Sequence, residues 1–198
     1  MEQRTQEWFE IRRGKITASN FCKLMGIKAL GETGLTYLKE LVAETIMWNF
    51  EEGYVSQAMQ RGTDLEPVAV EFYEVETLSQ VDLVGFVEYD EMVGGSPDGF
   101  IGEDGIIEVK CPGAKQHIET LISKEIPKGN YDQCQGLLFI TGRKWLDFVS
   151  FNPDFISGKQ MIIIRTTPDE VWVEKFKKRL DESKTIINQF KEQLENEN

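Results

Sequence analysis

Apolar positions along the first 80 residues recur mostly at helical spacing. Trp8 and Ile11 share one side of a short helix from Thr5 to Arg13, and Gly14 ends it. Thr17-Ala18-Ser19-Asn20 has the composition of an N-cap cluster, for a helix that stops at Gly26. A second helix is predicted from Thr36, with Leu38, Leu41, Val42 and Ile46 facing inward. After a loop at 49–55, Ser56 is placed to cap a longer helix with Met59, Val68, Phe72 and Val75 inward, and Pro67 near its first turn or kinking it. The period then changes. Val81 to Tyr89 alternates and reads as a strand, and Met92 to Gly95 as a short second one. Phe100-Ile101, a turn at Gly102-Glu103-Asp104-Gly105, and Ile106 to Lys110 read as a hairpin that Pro112-Gly113 breaks. Residues 114–124 and 130–140 read as helices, Lys144–Phe151 and Gln160–Arg165 as strands. A last helix opens at Pro168, with Val173, Phe176, Leu180, Ile187, Phe190 and Leu194 in one stripe. The order implies an α/β fold with a central mixed β-sheet flanked by helices.

With 198 residues, the chain is expected to form a single domain, 1–198, with a helical N-terminal part (1–50) and a closing C-terminal helix (168–198). Runs such as Met161-Ile162-Ile163-Ile164 have the length of a buried strand and fall far short of the roughly 20 residues that span a bilayer, so no membrane association is expected. The polar start Met1-Glu2-Gln3-Arg4 has no apolar stretch behind it, so we expect no secretory signal and a cytoplasmic protein. Cys22, Cys111 and Cys134 are too few for a disulfide framework and form no C-x-x-C pair, which leaves three reduced thiols. His117 is the only histidine; this excludes a multi-histidine metal centre and leaves it as a surface or packing residue.

The net charge of −12 argues against binding to phosphate. Its distribution tempers this. Residues 1–31 carry +3, residues 32–104 carry −15, and residues 105–198 are balanced, so an acidic protein can still present basic surface.

The chemistry concentrates in Ser96-Pro97-Asp98-Gly99 and Ile107-Glu108-Val109-Lys110. Glu108 and Lys110 are two apart on a strand and share a face. A turn centred on Glu103 sets Asp98 opposite Glu108, and a one-residue slip would destroy the match. Two adjacent carboxylates repel and call for a cation. Oxygen ligands with open positions suit Mg²⁺ or Mn²⁺ better than zinc. Asp98, Glu108 and the Val109 carbonyl could hold such an ion, with Glu66 a candidate for a second, while Lys110 orients a water and stabilises its hydroxide form. Glu-x-Lys alone is equally the mark of a solvated hairpin. What lifts this copy above that reading is the turn-forming Pro97-Asp98-Gly99, the apolar Ile106-Ile107, and the stop at Cys111-Pro112.

Pro97-Asp98 with Glu108-x-Lys110 resembles the PD-(D/E)xK nuclease signature, and more narrowly the lambda-exonuclease-like family of YqaJ-like viral recombinases. Ile11 to Ser19, Arg61 to Pro67, the hairpin blocks Gly95–Gly99 and Glu108–Pro112, and Tyr131 to Gln135 match it in order, over about two thirds of the chain. The resemblance implies a restriction-endonuclease-like core, with Asp98 and Glu108 as metal ligands, Lys110 as the catalytic lysine, Glu66 assisting at the metal, and Gln133 positioning water or phosphate. Arg12, Ser19 and Ser96 would form a pocket for a 5′-phosphate. Where the family has a further arginine, this chain has Gly113 to His117, so Lys115 is the candidate replacement, a point charge without the guanidinium fork. The implied activity is Mg²⁺-dependent 5′-to-3′ digestion of double-stranded DNA ends, leaving 3′ overhangs for phage-type recombination in a bacterial host. The implied assembly is a homotrimeric ring, acting beside a single-strand annealing protein. Arg143, Lys144 and Lys124 are candidates for backbone contacts. The alternatives are a restriction-type endonuclease of the same superfamily and a non-enzymatic recombination accessory protein.

Overall fold

A computed structural model describes residues 3–27, 29–48 and 56–196 of the chain; the expected loop at 49–55 lies outside them. Helix α1 (Gln6–Arg12) starts where the Thr5 side chain accepts a hydrogen bond from the Trp8 N–H, and the chain turns away at Gly14, whose φ of +69° suits a residue without a Cβ. Strand β1 (Ile16–Thr17), a 3-10 turn at Ala18–Asn20 and the one-turn helix α2 (Phe21–Leu24) follow. The Thr17–Asn20 cluster caps no helix through its side chains. Those side chains bond to one another instead, with Asn20 Nδ2 donating to Thr17 Oγ1 at 3.0 Å.

Helix α3 (Gly31–Ile46) begins five residues before the expected Thr36, because Gly31, Glu32 and Thr33 are exposed and Gly34, though buried, has no side chain to leave an apolar mark. Leu38, Leu41 and Val42 are buried, but Ile46, at the helix end, is exposed. Helix α4 (Gln57–Thr77) is capped by Ser56, which accepts from the Met59 N–H, and runs through Pro67 without interruption. Its inward face agrees with the one expected only at Phe72. Ala69, Val70 and Tyr73 are buried and Phe72 packs beside them, whereas Met59, Val68 and Val75 are exposed. This rotation also brings the Tyr73 hydroxyl to the buried Asp147, to which it donates at 2.6 Å.

The single strand expected at 81–89 divides into β2 (Asp82–Leu83) and β3 (Val87–Asp90), which join different sheets. A small sheet has the order β1-β4-β3, where β4 (Val93–Gly95) pairs parallel with β1 and antiparallel with β3. The main sheet has the order β2-β5-β6-β7-β8, from β5 (Gly99–Ile101), β6 (Gly105–Lys110), β7 (Trp145–Phe151) and β8 (Met161–Thr166). Only β6 and β7 pair in parallel in that sheet. A parallel pair needs a crossover, supplied here by α5 (Ala114–Ser123) and α6 (Lys128–Thr141).

Alternation along β6 and β7 sends side chains to both faces. Ile106 and Phe148 join Phe21, Leu38, Leu137 and Phe176 under α2, α3, α6 and the final helix α7 (Glu170–Asn196). Ile107, Val109, Val149 and Phe151 pack against Tyr73 and Ala69 of α4 on the other face. The sheet is therefore flanked by helices, as expected. On α7, Phe176, Leu180 and Ile187 of the expected stripe are buried, Val173 and Phe190 are partly covered, and Leu194 is exposed. Among the described residues no helix is long and apolar enough to cross a membrane.

Candidate active site

The β5–β6 hairpin has the register that a turn centred on residue 103 requires. Gly99 pairs with Ile107, Phe100 with Ile106 and Ile101 with Gly105, so the next position sets Asp98 beside Glu108. Asp98 Oδ2 accepts from the Val109 N–H at 2.6 Å. Glu108 and Lys110 point to the α6 side of the sheet, where Glu108 is 1% exposed. Glu108 Oε1 accepts from Lys110 Nζ at 2.5 Å and from Gln133 Nε2, on α6, at 2.7 Å. Its Oε2 is buried and has no hydrogen-bond partner among the described residues. An orphaned oxygen on a buried carboxylate is costly, and it leaves Glu108 with capacity for a further donor or a cation.

The electrostatics agree. Burial holds the Asp98 carboxyl well above the usual carboxylate range; Glu108 and Glu66 push the same way, and Lys110 and the Val109 N–H only partly oppose them. Burial also raises Glu108, against the pull of Lys110. For Lys110, burial disfavours the ammonium, but the attraction of Glu108 and Asp98 outweighs it and the group is held more firmly charged. The cluster is short of positive charge.

A cleft of about 460 Å³ opens onto this cluster, and Glu66, Asp98, Glu108, Val109, Lys110, Gln133, Arg12, Ser19 and Ser96 all line it. Arg12 lies over the Trp8 ring, 3.9 Å from its centroid. Ser96 Oγ accepts from Trp8 Nε1 at 2.8 Å and from Arg12 Nη1 at 3.4 Å. Burial lowers the Arg12 guanidinium from its ordinary value, against the pull of Tyr37 and Glu44. Lys115 is not part of this cleft. It stands on the first turn of α5, its side chain 88% exposed and 4.0 Å from Glu119, so the helix that starts after Gly113 carries it outward.

The cleft also holds Gln3, Arg4 and Trp8, none of which the sequence reading assigned to a site. For Trp8 a signal existed: it is four residues before Arg12, the spacing that stacks side chains on a helix. Gln135, although close to Gln133, faces elsewhere, donating to Thr166 and Thr167 and accepting from the Asp169 N–H. Arg143 donates to the carbonyls of Gly102 and Gly105 and lies over Phe100, while Lys144 pairs with Asp104 at 2.9 Å, so both brace the hairpin. Lys124 ends α5 in a left-handed conformation. His117 is a packing residue, buried between Ser150 Oγ and the Lys159 carbonyl, each at 2.8 Å.

Among the described residues no group of three or more His, Cys, Asp and Glu side chains forms a ready metal cage. The donor set is smaller: two carboxylates, one with an orphaned oxygen, and the Val109 carbonyl. Glu66 is held instead by Arg4, whose Nη2 donates to its Oε2 at 2.6 Å. One or two carboxylates in an open cleft, with water and phosphate completing the shell, is the habit of Mg²⁺.

Comparison with known proteins places this geometry in context. The alkaline exonuclease LHK-Exo from Laribacter hongkongensis has a crystal structure with a TM-score of 0.85 and 33% identity, covering 98% of this chain and 100% of that one. Its complex with dAMP matches with a TM-score of 0.86 and 32% identity over the same shares of both chains. A phage-related exonuclease from Haemophilus somnus 129PT shares the fold, with a TM-score of 0.77 and 16% identity over 91% of this chain and 96% of that one. None of the curated proteins matches. The model of the YqaJ-like viral recombinase domain matches residues 7–144. With that match over more than half its length and a PD-(D/E)xK fold throughout, the chain belongs to the YqaJ-like viral recombinase family.

Proposed function

We propose that this protein is a divalent-metal-dependent deoxyribonuclease that digests double-stranded DNA from its 5′ ends and leaves 3′ single-stranded tails for phage-type recombination in the bacterial cytoplasm. The observation that carries this reading is Glu108: buried, held on one oxygen by Lys110 and Gln133, unpartnered on the other among the described residues, and lining a cleft beside Asp98.

Asp98, Glu108 and the Val109 carbonyl are the residues that would hold Mg²⁺ or Mn²⁺, with Glu66 within the same cleft. Such an ion lowers the pKa of a bound water and offsets charge on the phosphate. Lys110, kept charged by its two acidic neighbours, orients the attacking water and stabilises its hydroxide form. Gln133 fixes the rotamer of Glu108. Arg12, locked by Trp8 and Ser96, offers its fork to a terminal phosphate, and the Ser19 and Ser96 hydroxyls add short bonds. Seating the terminal phosphate there sets its distance from Asp98 and Glu108, which is what makes an exonuclease. The likeness to an alkaline exonuclease, one form of it bound to dAMP, supports the same substrate class. A ring of three subunits and a single-strand annealing partner belong to the proposal through the family. A ring would let the −12 charge face outward around a more basic channel.

The test uses linear duplex DNA bearing a 5′-phosphate or a 5′-hydroxyl, labelled at the 3′ end, with Mg²⁺, beside closed-circular DNA and the Lys110→Ala variant. Stepwise digestion that prefers the phosphorylated end, intact circles and an inactive variant are expected. Cut circles would move the assignment to a restriction-type endonuclease, and no cutting in Mg²⁺ or Mn²⁺ to an accessory protein.

A further inference from the structure

Three described residues other than glycine have positive φ: Arg4, Leu78 and Lys124. Leu78 and Lys124 terminate α4 and α5, where a left-handed residue satisfies helix-end carbonyls. Arg4, at φ +65°, ends no helix; it stands just before Thr5, the N-cap of α1. A left-handed arginine is strained, and strain of this kind persists where the surroundings impose it.

The surroundings are the catalytic cleft. Gln3 Nε2 donates to the carbonyls of Val84 and Pro97, each at 2.8 Å, which pins the segment beside Asp98. From there the Arg4 guanidinium reaches across to α4 and pairs with Glu66 at 2.6 Å. Its side chain is 43% exposed and lines the same cleft as Asp98, Lys110 and Arg12. A glycine at this position would allow the same turn without strain, so the turn itself does not account for the arginine.

Building on the nuclease reading, we propose that Arg4 is a phosphate-positioning residue with two partners. In the protein without DNA or metal it is the counter-ion of Glu66. When a divalent cation occupies the carboxylate side of the cleft and draws on Glu66, the guanidinium turns its fork to a phosphate of the bound strand. The charge balance favours the exchange, because a cation repels Arg4 from Glu66 while the incoming phosphate offers it bidentate acceptors.

The experiment compares Arg4→Asn with its parent, both carrying Lys110→Ala so that bound DNA stays intact. Asparagine tolerates the left-handed region but carries no charge. Calorimetric titration of Mn²⁺ into the DNA-free proteins should show Arg4→Asn binding the cation several-fold more tightly. Binding of a 5′-phosphorylated duplex in Mg²⁺ should weaken roughly 10-fold in Arg4→Asn, and the slope of log affinity against log salt should become shallower by about 0.9, the loss of one phosphate contact. If the parent binds DNA and Arg4→Asn matches it in slope and cation affinity, with only its melting temperature changed, the inference is overturned and Arg4 merely ties α1 to α4. A tighter cation site with an unchanged slope overturns it too, leaving Arg4 a counter-ion only. A parent that binds the cation but no DNA removes the nuclease reading, and this inference with it.

Discussion

Two buried carboxylates lie on neighbouring strands of one sheet and are treated in opposite ways. Asp147 on β7 and Glu108 on β6 are each 1% exposed. Asp147 is fully partnered: Arg165 donates to both its oxygens at 2.8 Å, the Tyr73 hydroxyl donates at 2.6 Å, and Arg165 also lies over the Trp145 ring. Among the described residues Glu108 has two donors on one oxygen and none on the other, with a second acid, Asp98, alongside. The first arrangement repays the cost of burying a charge within the protein. The second leaves that cost unpaid until something positive arrives. Burial alone therefore does not separate the two acids; what sets Glu108 apart is its unmet bonding capacity on a residue that lines a cleft.

That contrast can be broken by exchanging each acid for its amide. Glu108→Gln should lower single-turnover DNA cleavage by at least about 1,000-fold, on the order of 4 kcal/mol in the barrier, while denaturant unfolding of the metal-free protein moves by no more than about 1 kcal/mol. A loss of stability larger than that would make Glu108 a structural acid after all. Asp147→Asn should do the reverse. It leaves Arg165 and the Tyr73 hydroxyl poorly matched and should cost about 2 kcal/mol, reduced from the fully buried case because Arg165 is half exposed to solvent. Its cleavage rate, measured well below the melting transition, should stay within about twofold of the parent.

The pH dependence sharpens the same comparison at a smaller scale. Asp98 has its folded-state pKa raised, chiefly by burial. Between the ordinary carboxylate pKa and that raised value the metal-free native state binds the extra proton, so stability falls as pH rises through this window and stays low above it. Asp98→Asn, which keeps an acceptor for the Val109 N–H, should therefore be more stable than the parent at neutral pH, by about 1 kcal/mol. The advantage should shrink as acidification protonates the parent. A constant difference across pH 4 to 8 would show that Asp98 is not held out of its ordinary range. The smallest effect belongs to Lys115→Ala, whose side chain stands on the outer face of α5. Preference for a 5′-phosphate over a 5′-hydroxyl should be unchanged within error, and a clear fall in that preference would return Lys115 to the substrate path.

Local physics made much of the site legible. The turn between Gly102 and Gly105 sets the hairpin register, and register with the two-residue period of a strand brings Asp98, Glu108 and Lys110 together. Gln133 was readable only through resemblance, because its approach to Glu108 depends on how the α5–α6 crossover returns to the sheet. Arg4 and Gln3 carried no signal, since their partners Glu66, Val84 and Pro97 are more than 60 residues away in the chain. The inward face of α4 was misjudged for a related reason. Several valines compete for burial at helical spacing, and the partners that the buried face meets, such as Asp147, 74 residues from Tyr73, are distant in the chain.

By itself, then, the sequence determined what short-range forces control: most helices and strands, the paired register of β5 and β6, and the presence of two acids and a lysine on one hairpin. The tertiary structure decided which of those charges would be satisfied. It left Glu108 Oε2 without a donor, closed Asp147 with Arg165 and Tyr73, laid Arg12 on Trp8, bent Arg4 onto Glu66 and turned Lys115 outward. The physical reason is that the energy of a charge depends on its whole surroundings within a few ångströms, and those surroundings are assembled from elements far apart along the chain.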